Sequence, residues 1–355
     1  MTQGDRINHL NSLLMVASCA AAFVMPFELF LLAYAVLGPL HYLTEISWIH
    51  DRRYFAGGDP AARSKAMLAW LVLVGLTLAV MIWGLVAERV LGRSASPVFE
   101  IGLFYLVLVC GALLVFRASA VVAAGVILVT GLGLAAFSGS PFCGLVAFLI
   151  LTIVHVLVFT FVFLLQGALK SRSRSGLISV FVYLACLAAI FAFAASAPAV
   201  GDYVRRSYEP FEILNGQLIR LLGLGPGTAL SDIYETPAGA IVMRLIAFAY
   251  TYHYLNWFTK TSVIGWNRIP RARALVIVAV WLCAVAVYAW DYLTGFAVLY
   301  ALSALHVMLE LPLNHQSFAG LAREAARIVA PAPLAAGAAV PPAPRAAARE
   351  RKRAR

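Results

Sequence analysis

Charge is scarce in this chain. Only 12% of its 355 residues are Asp, Glu, Lys or Arg, whereas 63% are hydrophobic. A water-soluble domain of this length cannot cover its exterior with so few ionisable groups, so a soluble globular protein is excluded. Cysteine is sparse too. The five present (Cys19, Cys110, Cys143, Cys186 and Cys283) are scattered through apolar runs with no C-x-x-C pair. That leaves no sign of a disulfide framework or a thiolate metal site, and the cysteines read as small core residues. The apolar runs do not alternate with polar residues, so a closed barrel is not expected and helices are. The first run has no small-residue cleavage site and leads almost directly into the second, so a retained helix is expected rather than a removable signal peptide.

What is present is a succession of apolar runs, each about 20 residues long, the length a helix needs to cross hydrocarbon. They fall at 11–25, 27–49, 66–87, 98–116, 118–137, 142–168, 176–199, 238–259, 273–290 and 293–312. The expected fold is all-α, a polytopic transmembrane bundle of about ten helices. With the N-terminus inside, 21 of the 27 Lys and Arg fall on the inner side, which fixes an N-in, C-in topology. The net charge of +11 therefore reads as topogenic rather than as a nucleic-acid footprint, and no nucleic-acid partner is expected. The expected location is a bacterial inner (cytoplasmic) membrane.

The transmembrane domain is expected over 1–316, with an external loop at 201–237. In that loop Phe211, Leu214, Leu218 and Leu222 recur at helical spacing, which predicts a short helix lying on the outer membrane surface. Gly223-Leu224-Gly225-Pro226-Gly227 should end it. Residues 317–355 form a basic tail, Ala/Pro-rich and predicted to be disordered from about 330, which its charge would hold near anionic headgroups.

The chemistry is carried by histidine. Apart from His9 there are six: His41, His50, His155, His253, His306 and His315. His41, His155, His253 and His306 lie within expected spans, all on helices of one direction and all in the inner half or near the middle. A spacing repeats. His41, Glu45 and His50 have the form HxxxExxxxH, and so do His306, Glu310 and His315. Residues four apart share a helix face, so each helix presents an imidazole and a carboxylate together. Ionisable groups at this depth pair, bind an ion or line a pathway. The nine-residue offset turns His50 and His315 about half a turn away, so they are expected only as additional ligands or as interfacial side chains. Pro312 could break the last helix and re-aim His315. Asn256 and Tyr254, beside His253, are candidates for orienting a ligand. The aromatic residues Tyr42, Trp48, Tyr252, Tyr254 and Trp257 also suit an interfacial belt. Arg244 stands alone in the outer half of its span, where a carboxylate such as Glu100 or a substrate head group would suit it.

Four imidazoles and two carboxylates without sulfur suit iron foremost, with zinc or manganese as alternatives. The expected metal ligands are His41, Glu45, His155, His253, His306 and Glu310. A site between membrane helices admits apolar substrates from lipid, so a lipid, hydrocarbon or isoprenoid is expected. An iron oxygenase would take dioxygen as co-substrate and could need an electron donor. Two other classes fit the residues: a haem-binding electron-transfer protein, and a proton-coupled transporter using His and Glu as a relay.

The motif order Pro39-Leu40-His41-Tyr42-Leu43-Thr44-Glu45, Ile153-Val154-His155, Tyr252-His253-Tyr254 and Leu305-His306-Val307-Met308-Leu309-Glu310 resembles that of the bacterial Brp/Blh-type β-carotene dioxygenases. That resemblance implies iron, dioxygen and cleavage of a carotenoid to retinal. The chain departs from the family pattern in three ways. More chain separates the first two motif histidines, Tyr42 stands where the family has glycine, and no acid follows His155. The HxxxH and HxxHH boxes of membrane fatty-acid desaturases are absent.

Overall fold

The computed structural model describes residues 1–55, 60–92, 97–137, 140–193 and 199–329. The expected disordered tail lies outside them. Among the described residues there is no strand, and nine helices are long and apolar enough to cross a membrane. In chain order these elements are α1 (Gln3–Val24), α2 (Pro26–Asp51), α3 (Pro60–Leu91), α4 (Pro97–Phe116), α5 (Ala120–Phe137), α6 (Phe142–Ser171) and α7 (Arg174–Ala192). Three short helices follow, α8 (Asp202–Tyr208), α9 (Glu212–Leu221) and α10 (Leu230–Tyr234). Then come α11 (Pro237–Thr259), the single turn α12 (Thr261–Ile264), α13 (Arg271–Trp290) and α14 (Tyr292–Val329).

The one expected span not among these nine, 238–259, is α11. It is 23 residues long, enough to span, but Arg244, His253, Asn256 and three tyrosines make it less apolar than the other nine. It has no need to be apolar outside, because it sits at the centre of the bundle. Almost every side chain from Gly239 to Trp257 is buried, against α1, α2, α6 and α7. α5 is the opposite case. It packs on α4, buries none of its residues and is apolar all round, as a lipid-facing helix must be. α14 packs against α2, α3, α4, α6 and α13.

Local sequence explains how the helices start. Thr2, Ser140, Ser173 and Thr236 accept a backbone N–H in the first turn of α1, α6, α7 and α11, and Pro26 and Pro237 occupy first-turn positions where no intrahelical donor is needed. Pro312 does not break α14, which runs through it to Val329.

The segment between α7 and α11 folds as a cap rather than as one helix on the membrane surface. Phe211, Leu214 and Leu218 are buried against α2 and α11, and only Leu222 of that periodic set is exposed. The apolar face covers protein instead of lipid. The cap closes by a backbone crossing of Gly216 and Gly227. A Cβ on Gly216 would lie 2.4 Å from the Gly227 carbonyl oxygen, and Gly227 itself has φ +59°. Arg244 does not meet Glu100. Its Nη1 donates to the Phe193 carbonyl at 3.0 Å and its guanidinium lies over the Phe23 ring. The five cysteines are free thiols, with Cys19 and Cys186 buried in the α1–α7 contact.

Candidate metal centre

Four helices meet around one point: α2 brings His41 and Glu45, α6 brings His155, α11 brings His253, and α14 brings His306 and Glu310. All six side chains are buried, none above 6% exposure. The four imidazoles form a closed ring. Successive centroids are 4.9 Å apart for His41 and His306, 5.0 Å for His306 and His155, 5.0 Å for His155 and His253, and 4.8 Å for His253 and His41. Each contact is edge-to-face, and the Nε2 atoms of all four rings lie within 3.3 Å of another ring nitrogen or of a glutamate oxygen of the group.

The glutamates bridge this ring. Glu45 Oε2 is 3.1 Å from Nε2 of His41 on its own helix and 3.1 Å from Nε2 of His306. Glu310 Oε2 is 3.6 Å from Nε2 of His306, one turn back, and 3.3 Å from Nε2 of His155. The HxxxE spacing thus performs the same task twice: the helical i,i+4 pair supplies one carboxylate contact and packing supplies the other.

Two sets of donors, His41/His253/His306 and His155/His306/Glu310, have atoms within 4.8 Å of one another and could each hold a metal ion. Opposed ligands of an ion at about 2.0–2.2 Å are separated by about 4 Å, so small side-chain adjustments close either set. The polar bookkeeping points the same way. His155 Nε2 and Glu310 Oε2 are buried and face each other without a hydrogen bond. Burying such groups unsatisfied is costly in any protein interior, and a cation between them relieves both.

The backbone around two ligands is unusual. Ile150–Phe159, which carries His155, is a π-helix, and so is Ala33–Leu37, one turn before His41. π segments are rare and gather where a side chain must be re-aimed at a functional site. Nothing in the residue pattern marked them.

Other sequence candidates fall at varying distance from the centre. Asn256 is buried beside it and lines the adjoining cavity. Tyr254 shares a 2.5 Å hydroxyl–hydroxyl contact with Tyr42, whose ring packs on His306. His50 is exposed at the end of α2 next to Asp51, and His315 Nδ1 turns back to the Leu311 carbonyl, so neither joins the two donor sets.

Sequence reasoning missed Thr160. Its Oγ1 is 2.8 Å from His253 Nδ1, which leaves Nε2 of His253 to face His41 at 3.1 Å. A buried hydroxyl one turn beyond His155 in an apolar run was the available signal. Trp257 suits a belt by its place in the sequence, yet it is buried and its Nε1 donates to Thr44 Oγ1 at 3.0 Å. A cavity of about 590 Å³ opens from His41, Glu45, His253 and Glu310 toward the ends of α6, α11 and α14. No protein family, curated protein or solved structure matches the chain.

Proposed function

We propose that this chain is a membrane-embedded metal-dependent oxygenase, with iron as the metal, acting on the apolar chain of a lipid, hydrocarbon or isoprenoid in a bacterial cytoplasmic membrane. The observation that carries the reading is the closed ring of four buried imidazoles flanked by two carboxylates. Neutral nitrogen and carboxylate oxygen without sulfur form a donor set suited to iron that retains open positions. Bound iron would supply the activation of dioxygen. His41, Glu45, His155, His253, His306 and Glu310 would hold one or two such ions, the carboxylates also balancing the charge. Thr160 fixes the ring orientation of His253. The surrounding helices exclude bulk water, and the cavity gives a substrate a way to the site. An electron donor is needed only if the reaction is not a dioxygenation. The Brp/Blh-type resemblance supports an isoprenoid chain as one substrate of this class.

The packing disfavours a haem protein. The imidazoles touch ring to ring, with no slab between facing histidines in which a porphyrin would lie. The test is elemental analysis of protein purified and reconstituted anaerobically with ferrous iron, wild type beside Glu45→Ala and Glu310→Ala. Near-stoichiometric iron in wild type, lost in both variants and without a Soret band, is expected. Wild-type protein that retains no transition metal under any of these conditions overturns the reading and favours a proton relay.

A further inference from the structure

We propose that the substrate is not a plain hydrocarbon but an amphiphile, whose carboxylate or phosphate head is held by Lys170, Lys260 and Arg323 while its apolar chain runs inward to the His/Glu centre. This inference deepens the oxygenase reading and rests on it for the word substrate; the binding mode stands apart from it.

The cavity has two chemically distinct ends. Its inner end is formed by His41, Glu45, His253 and Glu310, all buried. Its outer end carries Lys170 at the end of α6, Lys260 just after α11 and Arg323 near the end of α14. Between them Trp48, Phe163, Trp257, Ile264 and Leu313 give an apolar track, beside the polar side chains of Thr160, Gln166, Asn256, Gln316 and Ser317. Three cations from three helices thus converge on one mouth. Among the described residues none of them has a carboxylate within ion-pairing distance. Topogenic cations need only lie on one side of the membrane; they have no reason to share the rim of one cavity. Lys260 is partly buried, and desolvation pushes its ammonium down to about 8. An anion beside it relieves that penalty.

The polarity also sets the direction of the ligand. Lys170, Lys260 and Arg323 attract an anionic head to the rim, where Lys170 and Arg323 are exposed and the head keeps part of its hydration, whereas the inner end is buried. The helical rise then gives the depth. His253 lies seven residues before Lys260, roughly 10 Å along α11, and Thr160 lies ten residues before Lys170, roughly 15 Å along α6. The carbon nearest the centre is therefore remote from the head, in the middle of the chain.

The experiment uses the full-length protein in neutral detergent, stripped of metal with a chelator. Spin-labelled stearic acid and its methyl ester quench tryptophan on contact, and Trp48 and Trp257 line the cavity. Saturable quenching at least about tenfold tighter for the acid than for the ester is expected. In Lys170→Gln/Lys260→Gln/Arg323→Gln that preference should disappear, while Lys65→Gln, an exposed cation outside the cavity, should keep it. Lys170 and Arg323 are exposed, so their single variants serve if the triple variant does not fold. Competition by laurate against dodecyl phosphate then assigns the head. Equal binding of acid and ester, or unchanged preference in the triple variant, overturns the proposal. Because the protein is metal-free, acid preference without any capacity for iron would sink the oxygenase reading alone, and iron binding without acid preference would sink this one alone.

Discussion

His41 and His253 bring their Nε2 atoms to 3.1 Å across the contact of α2 and α11, although 212 residues separate them in the chain. Two imidazole nitrogens meet at that distance only if one carries a proton for the other, or if both direct lone pairs at a shared cation. Thr160 sits on the far nitrogen of His253, and Glu45 bridges His41 to His306. These relations make the centre testable one contact at a time.

Thr160→Val removes the hydroxyl that orients His253 without removing a ligand. Metal affinity should fall about 10- to 100-fold, the usual cost of losing an outer partner of a metal-bound histidine. Thr160→Ser should restore most of it. Competition titration with a chromophoric chelator measures both. Equal affinity in all three proteins would show that Thr160 only fills space.

Glu45→Gln keeps the size of the side chain and removes its charge. The fold should survive, because the amide still offers an oxygen near His41 and His306, but bound metal should drop to a small fraction of wild type. Metal content per folded protein, with helicity checked by circular dichroism, decides the matter. Retention of full metal would remove Glu45 from the centre.

Gly216→Ala should destabilise the cap between α7 and α11 severely, by more than about 2 kcal/mol, because the new methyl meets a backbone carbonyl that cannot move aside. Gly223→Ala supplies the comparison. It has φ +67° but open space, so it should cost only about 1 kcal/mol. Thermal unfolding in detergent orders the two; the reverse order would mean that the crossing at Gly227 is not tight.

Asp51→Asn should cost less than about 1 kcal/mol, even though Arg273 Nη1 lies 2.7 Å from both carboxylate oxygens of Asp51. The pair is solvent-exposed, where ion pairs are screened and side-chain entropy opposes them. A larger loss in thermal stability would imply that the α2–α13 contact depends on it.

Single cysteines in a cysteine-free background should report the orientation. An impermeant maleimide added outside intact cells should label a cysteine at Leu222, in the cap, and spare one at Arg172, at the end of α6. The opposite pattern would invert the topology read from Lys and Arg.

Composition alone specified the bundle. Runs of apolar residues of membrane-crossing length leave the backbone no option in lipid but helices, so a helical bundle follows from residue type and length, with nine helices among the described residues long and apolar enough to cross. The i,i+4 spacing likewise made His41 with Glu45 and His306 with Glu310 legible as pairs, because neighbours on one helix face are fixed by local geometry. What no local rule contained was which helices touch. Tertiary packing placed α11 at the centre, joined its His253 to His41 and His155, and turned Phe211, Leu214 and Leu218 inward as a cap rather than outward to lipid. It also drew Lys170, Lys260 and Arg323, alike in sequence to any other inner-side cation, to the rim of one cavity. Hydropathy acts along the chain, residue by residue; ligand convergence depends on the shapes of surfaces hundreds of residues apart, and only the folded bundle brings those surfaces together.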